Sequence, residues 1–206
     1  MLNFEKQYYS NRINFIAGTD EAGRGPIVGP VVAAAVIFPK GYTNKDINDS
    51  KKLSEKKREE LVEVIKKDAL AYSIAFISAK EIDKINIYEA SRKAMIEALH
   101  SLKHKYDMVI TDAMPLPRET CKVVPLVKAD AKVLAVAAAS ILAKVARDHY
   151  MYELDKKYPK YKFREHKGYP TKEHLDLLKE FGPIKEEYRF SYKPVKNLHF
   201  VQLSLL

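Results

Sequence analysis

INFIAGTDEAGRGPIVGPVVAAAVIF, residues 13–38, contains two strand patterns separated by a turn. The first pattern, residues 13–18, is mostly apolar and runs into Thr19-Asp20-Glu21. The second, residues 30–38, is β-branched and almost entirely apolar, as in a strand buried on both faces. The intervening residues 22–26 are too rich in Gly and Pro for the interior of an element and predict a turn. Together these patterns predict the start of an antiparallel meander.

The rest of the chain alternates helix and strand patterns. Ser54 is placed to N-cap a helix, and Asn86 with Glu89 resembles a capping box. Pro125 predicts an edge position or a bulge for the last strand. The predicted elements are a helix after Ser54 with Leu61, Val64 and Ile65 inside, a strand at 69–78, a helix at 86–102, strands at 108–112 and 122–127, and an Ala-rich helix at 133–155. This order predicts an α/β domain with a mixed sheet.

Length, charge and cysteine content narrow the classes of protein. The 206 residues fit one domain with a small appended element, and a net charge of +9 favours a polyanionic partner. The single cysteine, Cys121, excludes an internal disulfide and a Cys-rich zinc site. The longest apolar run, residues 26–39, is interrupted by Gly29 and Pro30 and is shorter than the ~20 residues of a membrane span. We therefore expect a cytoplasmic protein without membrane contact.

Four acidic residues lie at the ends of predicted elements. Asp20 and Glu21 follow the first strand, Asp112 ends the fourth, and Asp130 precedes the Ala-rich helix. If the first and fourth strands are neighbours, Asp20 and Asp112 can face one pocket. Carboxylates gathered this closely repel unless cations neutralise them, and Mg²⁺ prefers carboxylate oxygens. Two such ions, matched in charge to four carboxylates, would suit phosphodiester hydrolysis.

Each acid also has an ordinary structural explanation. Asp130 could N-cap the following helix, and Asp112 could be a turn residue before Ala113-Met114-Pro115. Asp20 and Glu21 could be a solvated pair. Adjacent side chains of a regular strand point to opposite faces, so both can reach one site only if the strand ends or twists there. The spacing alone leaves these alternatives open.

Several motifs occur in an order that resembles the ribonuclease HII family. They are TDEAGRG (19–25), DSKKLS (49–54), Asp112 after a strand, KAD (128–130) leading into AAASILAKV (137–145), HKGY (166–169) and YKPV (192–195). The resemblance implies an RNase-H-like mixed β-sheet flanked by helices, with a small helical region at the C-terminus. It implies a catalytic domain at 1–155 and a basic, aromatic region at 156–206 that completes the substrate groove. The Ala after Glu21 and the Arg of Gly23-Arg24-Gly25 resemble type HII rather than type HIII.

The resemblance also implies an activity and a metal site. The expected activity is endonucleolytic cutting of RNA in RNA/DNA hybrids and of single ribonucleotides embedded in duplex DNA, leaving 3′-OH and 5′-phosphate ends. Asp20, Glu21, Asp112 and Asp130 are the expected catalytic residues, holding two Mg²⁺ or Mn²⁺ ions with Asp20 as the bridging ligand. The rival hypotheses are a different nuclease of this fold, such as a junction resolvase, and a non-catalytic hybrid-binding module.

Substrate contacts are expected on both sides of the acids. The Gly23-Arg24-Gly25 turn lets backbone groups approach a ribose 2′-OH, the group that distinguishes RNA from DNA, and by resemblance this turn acts with Tyr169. Phosphate contacts are expected by resemblance from Lys51, Lys52, Ser140 and Lys144. An ordinary tight turn, a charged loop and an ordinary helix face are the respective alternatives.

Two segments near the C-terminus favour macromolecular partners. Residues 156–172 hold seven basic residues against one acid and interleave four aromatic residues, which suits nucleic-acid binding, although a solvated loop with its aromatic rings packed on the domain explains the pattern equally. Residues 198–206 are apolar for a terminus. We expect this tail to dock on the domain, with a sliding clamp as the alternative partner, and we expect a monomer.

Overall fold

The computed structural model describes residues 4–117 and 119–203, with the backbone alone described at 199–203. The strands are β1 (Ile16–Ala22), β2 (Val31–Ile37), β3 (Ala71–Ile77), β4 (Met108–Asp112) and β5 (Lys122–Leu126). The α-helices are α1 (Glu55–Asp68), α2 (Ala79–His100), α3 (Leu134–Lys157), α4 (Phe163–His166), α5 (Lys172–Phe181) and α6 (Lys193–Leu203). Short 3₁₀ helices cover Phe4–Tyr8, Ser50–Lys52, Ala129–Ala131 and Pro159–Tyr161.

The five strands form one mixed sheet in the order β3-β2-β1-β4-β5. β1, β2 and β3 pair antiparallel, which confirms the predicted meander, and β4 pairs parallel to both β1 and β5. β5 is an edge strand, as Pro125 predicts. The sheet therefore makes β1 and β4 neighbours, which the predicted acidic pocket requires.

Helices cover both faces of the sheet. α3 and α1 pack on one face around Val32, Ala34 and Val36, and α2 packs on the other around Ala33 and Ala35. The alternating sides of β2 thus enter two separate hydrophobic clusters, which explains why that strand is apolar throughout.

The Ala-rich face of α3 lies directly against the strand that carries Asp20. A Cβ added to Gly18 would lie 2.4 Å from backbone atoms of Ala135 and Val136, so only glycine permits this approach. Close packing fixes the position of β1 relative to α3, and both elements contribute to the candidate site.

Three local predictions differ from the structure. β1 continues to Ala22, so Asp20 and Glu21 lie inside the strand instead of after it. On α1, Val62 is buried, whereas Val64 is only half-buried. The second helix begins at Ala79 rather than at Asn86, because Ser78 caps a first segment.

Asn86 nevertheless caps a helical segment, as predicted. Its backbone has φ 67°, and its side chain accepts hydrogen bonds from the N–H groups of Tyr88 and Glu89. α2 is therefore two helical segments joined at a kink, and the local capping signal identified only the second.

The C-terminal region is helical and packs on the end of α3. Met151 and Leu154 share a hydrophobic cluster with Tyr161 and Phe163. Stacking on nucleic acid is wrong for the latter two rings, since Phe163 is fully buried and Tyr161 is 8% exposed. The division at residue 155 stays a prediction, and the proposed role of the apolar tail falls largely on residues whose side chains lie outside the described part.

No helix within the described ranges has the length and apolar character that crossing a membrane requires.

Candidate active site

Three aspartates from distant parts of the chain meet at one edge of the sheet. Asp20 lies in β1, Asp112 is the last residue of β4, and Asp130 lies in the 3₁₀ helix Ala129–Ala131. Because β1 and β4 are parallel neighbours, Asp20 and Asp112 reach the same edge. Each aspartate offers a carboxylate oxygen that lies within 4.8 Å of the oxygens of the other two.

Hydrogen bonds hold two of these carboxylates in place. Asp112 Oδ1 accepts a bond from the Ala129 N–H at 2.9 Å, which ties the end of β4 to the following 3₁₀ helix. Asp20 Oδ1 accepts from the Glu21 N–H at 2.8 Å, and the Ser140 hydroxyl of α3 also bonds the Asp20 side chain. The cluster is therefore built by the sheet and by α3 together.

The aspartates oppose one another electrostatically. Burial raises the pKa of Asp20 well above its ordinary value, and the charges of Glu21 and Asp112 raise it further. Burial and the charge of Asp112 also raise the pKa of Asp130. Because each group disfavours ionisation of its neighbours, the cluster reaches full charge readily only with cations present.

Glu21, the fourth predicted acid, lies outside that group of three, although it follows Asp20 directly in β1 and its charge raises the pKa of Asp20. Burial is the main cause that raises the pKa of the Glu21 carboxyl. The charge of Arg24 lowers that pKa, and the charge of Asp112 raises it. Arg24 Nη1 donates to Glu21 Oε1 at 3.3 Å. Glu21 Oε2 is buried and has no hydrogen-bond partner among the described residues. One oxygen of Glu21 is thus neutralised by Arg24, and the other is available to a cation.

This donor set fits a hard divalent cation. Carboxylate oxygens are the ligands that Mg²⁺ and Mn²⁺ take in proteins, and the orphaned Glu21 oxygen needs a positive partner. The N-cap alternative for Asp130 is wrong, because α3 begins at Leu134 with Val133 as its N-cap. The solvated-pair alternative is wrong as well, since Asp20 is 5% exposed.

The Gly23-Arg24-Gly25 turn follows β1 directly and lies against Tyr169. Gly23 has φ +98°, and a Cβ there would lie 2.3 Å from Arg147 Nε. A Cβ on Gly25 would lie 3.3 Å from Tyr169 Cε1. The Tyr169 ring is 44% exposed, so the turn and this ring together form an accessible surface next to the acids.

Two buried arginines, which the sequence patterns do not predict, support this turn. Arg147 is 1% exposed and donates to the carbonyls of Val28 and Pro30 at 3.2 and 3.3 Å and to that of Lys167 at 3.0 Å. Arg189 is fully buried. Burial lowers the pKa of Arg147 to about 10, which leaves it charged at neutral pH. The helical spacing does indicate burial for Arg147, because it lies four residues after the buried Ala143 and therefore on the same face of α3.

A pair of stacked histidines supports Tyr169 from below. The His166 and His174 rings lie 4.0 Å apart at an interplanar angle of 11°. His174 Nδ1 donates to the Tyr169 carbonyl at 2.8 Å, so the neutral ring accepts the Tyr188 hydroxyl on Nε2 at 2.9 Å. His166 Nδ1 accepts the Gly168 N–H at 3.1 Å. His166 must be neutral to accept this bond, and burial lowers the pKa of His174 to about 4, which keeps that ring neutral at pH 7.

The four predicted phosphate contacts fall in different surroundings. Lys51 and Lys52 are exposed in the 3₁₀ helix Ser50–Lys52, and the charge of Lys51 acts on Asp130. Ser140 is buried, and its hydroxyl lies 3.0 Å from that of Ser50. Lys144 donates to both oxygens of Asp148 at 2.6 and 2.7 Å. The structure therefore brings Lys51 near Asp130 and pairs Lys144 with another carboxylate, Asp148.

Comparisons with known proteins agree with this arrangement. The family model described as Ribonuclease HII matches residues 17–195. A ribonuclease HII from Caldanaerobacter subterraneus subsp. tengcongensis is 54% identical over 180 residues, which cover 87% of this chain and 75% of that protein.

Solved structures share the fold. The ribonuclease H2 from Pyrococcus horikoshii OT3 superposes with a TM-score of 0.77 at 27% identity, covering 91% of this chain and 98% of that one. The ribonuclease HII of Archaeoglobus fulgidus, solved in a complex with PCNA, superposes with a TM-score of 0.72 at 32% identity and covers 87% and 95%. With a family match over most of its length, this chain belongs to the ribonuclease HII family and is a divalent-metal-dependent endonuclease of the ribonuclease H type.

Proposed function

We propose that this enzyme cuts on the 5′ side of ribonucleotides, both in the RNA strand of RNA/DNA hybrids and at single ribonucleotides embedded in duplex DNA. The products carry 3′-OH and 5′-phosphate ends. The observation that supports this most is the convergence of Asp20, Asp112 and Asp130 within 4.8 Å, beside a glycine turn with accessible backbone.

In this proposal Asp20, Glu21, Asp112 and Asp130 hold two Mg²⁺ or Mn²⁺ ions. When bound, two such ions supply an activated water for in-line attack and stabilise the departing 3′ oxygen. Asp20 would be central to holding the ions, because the charges of both Glu21 and Asp112 raise the pKa of its carboxyl. Arg24 keeps Glu21 Oε1 occupied, which leaves Oε2 as the oxygen for an ion.

The remaining predicted site residues recognise the substrate. The backbone of Gly23-Arg24-Gly25 reads the ribose 2′-OH, and Tyr169 packs on the sugar beside it. Lys51 and Lys52 contact backbone phosphates next to Asp130.

Two residues of α3 complete this set of contacts. Ser140 orients Asp20 through its hydroxyl. Lys144 reaches a phosphate only when it exchanges its partner Asp148.

Membership in the same family also supports our proposals for the location, the oligomeric state and the protein partner of this enzyme. The enzyme works as a cytoplasmic monomer, and the apolar tail at 198–206 contacts a sliding clamp or the domain itself. The Archaeoglobus relative was solved in a complex with PCNA, which supports a sliding clamp as a partner of this chain. A junction resolvase and a non-catalytic binding module are less favoured, because neither requires the glycine turn next to a complete set of acids.

The deciding experiment uses a DNA duplex with one ribonucleotide, an all-DNA duplex of the same sequence and a four-way junction. We expect Mg²⁺- or Mn²⁺-dependent cutting of the first duplex alone, at the phosphate 5′ to the ribonucleotide, with a product that a 5′-phosphate-dependent ligase can rejoin. Cutting of the junction, or binding of the duplex without cutting, would contradict the proposal.

A further inference from the structure

The carbonyl of Arg24, in the middle of the glycine turn, accepts two hydrogen bonds from the C-terminal region. The Tyr192 hydroxyl donates to it at 2.7 Å, and Arg189 Nη1 donates to it at 3.3 Å. Arg189 Nη1 also donates to the Tyr192 hydroxyl at 3.0 Å, so the three groups form a closed triangle. The charge of the guanidinium strengthens each bond that it donates.

Both donors lie more than 150 positions away from the turn in the sequence, and Arg189 is held by the segment that directly follows the turn. Arg189 is fully buried, and its Nε donates to the Gly29 carbonyl at 3.0 Å. Its backbone N–H donates to Ile27 at 2.9 Å, and the neighbouring Glu187 carbonyl accepts from Gly29 at 2.9 Å. The segment from Glu187 to Tyr192 is thus hydrogen-bonded to residues 27–29.

A second anchor, on α2, also fixes this segment. Asp83, in the first segment of α2, accepts the N–H groups of Phe190 and Ser191 at 2.8 and 2.9 Å and the Ser191 hydroxyl at 2.6 Å. The donors to Arg24 therefore cannot follow the turn if it moves. The triangle sets the conformation of the turn rather than adapting to it.

Holding the Arg24 carbonyl also determines where the next N–H points. The carbonyl and N–H of a trans peptide point in opposite directions, and no peptide of the described residues is cis. With the Arg24 carbonyl drawn inward to Arg189, the N–H of Gly25 faces the opposite way, on the side away from the buried guanidinium. Gly25, on one side of this peptide, would otherwise lower the cost of a flip.

We propose that Arg189 and Tyr192 are positioning residues that fix the Arg24–Gly25 peptide and thereby set how strictly the enzyme requires a 2′-OH. This inference rests on the proposed function, because it assigns a task to the backbone that reads the ribose. Arg189 and Tyr192 act through the turn, and neither touches the reacting phosphate.

The test compares Tyr192→Phe with the matched control Tyr161→Phe. Both variants keep the ring and remove a hydroxyl that donates to backbone carbonyls, since the Tyr161 hydroxyl donates to Gly182 at 2.8 Å, away from the turn. Two quantities are measured in the same Mg²⁺ buffer: kcat/KM on a duplex with one ribonucleotide, and the inhibition constant of the uncut all-DNA duplex as a competitor. A loss in kcat/KM without a change in the inhibition constant indicates altered recognition of the 2′-OH. A change in both quantities indicates altered general duplex binding.

We expect Tyr192→Phe to lower kcat/KM about fivefold, the loss of one hydrogen bond, with the DNA inhibition constant unchanged within about twofold. Arg189→Lys should lower kcat/KM by a larger factor and also leave the DNA inhibition constant unchanged within about twofold. Tyr161→Phe should leave both at the unmodified values.

Wild-type kcat/KM in Tyr192→Phe, or an equal loss in Tyr161→Phe, would overturn the inference alone. An unmodified chain that fails to cut the single-ribonucleotide duplex would overturn the proposed function, and the inference with it.

Discussion

The acidic cluster and the glycine turn lie side by side, yet they are built on opposite electrostatic principles. The cluster brings together like charges that raise one another's pKa. The turn is supported by two buried guanidiniums that donate to backbone carbonyls. The cluster is therefore incomplete until cations from solution neutralise it, whereas the turn carries its own positive partners and is complete in the free protein.

Because of this difference, the acidic cluster contributes to catalysis and the glycine turn contributes to recognition of the ribose. A site that depends on ions can link catalysis to the arrival of metal and substrate, because the charges balance only then. A turn that is already fixed recognises a ribose without paying for ordering during binding. Loss of the acidic cluster should abolish cleavage. Loss of the glycine turn should lower the stability of the fold and the discrimination between RNA and DNA.

The largest expected effect comes from removing one charge of the cluster. Asp112→Asn keeps the acceptor for the Ala129 N–H but deletes a ligand, so we expect cleavage to fall by at least about a thousandfold, which corresponds to about 4 kcal/mol. Affinity for the uncut duplex should change little. Cleavage of a single-ribonucleotide duplex and equilibrium binding measure the two quantities.

Asp107→Asn is the matched control for that substitution. Asp107 precedes the opposite end of β4, and its Oδ2 accepts the N–H groups of Asn14 and Phe15 at 2.8 and 3.0 Å. An asparagine retains that acceptor as well. Equal loss of cleavage in both variants, or turnover retained in Asp112→Asn, would remove Asp112 from the catalytic site.

The next largest effect concerns the packing beneath the turn. Gly23→Ala adds a Cβ at positive φ within 2.3 Å of Arg147 Nε, and we expect it to lower the free energy of unfolding by about 3 kcal/mol. Gly41→Ala is the control, since Gly41 has φ +84° and nothing within 4 Å of the added Cβ. That variant should lose only about 1 kcal/mol. Urea unfolding of both variants measures the difference, and equal losses would mean that Arg147 yields to the turn.

The sequence predicts the acidic cluster better than it predicts the support of the turn. The local strand patterns place Asp20 and Asp112 at the ends of two strands, and the shared pocket is conditional on those strands being neighbours. The structure meets that condition, because β1 and β4 are parallel neighbours. Asp130 is a candidate because it precedes the Ala-rich helix, but nothing in its own segment indicates that it folds back onto the end of β4.

The buried arginines escape prediction for a physical reason. A charged residue in a polar segment, such as Arg189 in EEYRFSYK, is ordinarily solvent-exposed, and its burial depends on carbonyls more than 150 residues earlier in the chain. Ser140 shows the same limit, because a hydroxyl on an Ala-rich helix face gives no sign that it will bond Asp20. Contacts between distant segments therefore set the details that local patterns leave open.

Acid should affect the support of Tyr169 before it affects the rest of the C-terminal region. Burial lowers the pKa of His174 from 6.5 to about 4, so the unfolded chain binds the proton more readily than the folded one. Stability is therefore fully present above pH ~6.5 and is lost as the pH falls toward ~4. From pH 7 to pH 5 we expect a loss of about 2 kcal/mol from this residue.

His174→Phe isolates that contribution from the acidic cluster, whose carboxylates respond to pH with the opposite sign. Because the pKa of Asp20 is raised on folding, protonation of the cluster stabilises the fold as the pH falls. Urea unfolding at pH 7 and pH 5 should give the variant a smaller loss than the unmodified chain. His149→Phe, at a side chain that is 56% exposed, should retain the full loss, and an unchanged loss in His174→Phe would rule out His174 as its origin.

The smallest expected effect tests whether repulsion in the metal-free cluster costs stability. Asp112 raises the pKa of Asp20, Glu21 and Asp130, so at neutral pH with a chelator Asp112→Asn should unfold at a higher temperature than the unmodified chain. A gain of about 1 kcal/mol, or about 2–4 °C, is expected. Saturating Mg²⁺ should raise the melting temperature of the unmodified chain more than that of the variant, because the ions neutralise the same repulsion. A variant that melts lower in chelator and responds equally to Mg²⁺ would mean that the four carboxylates do not share one site.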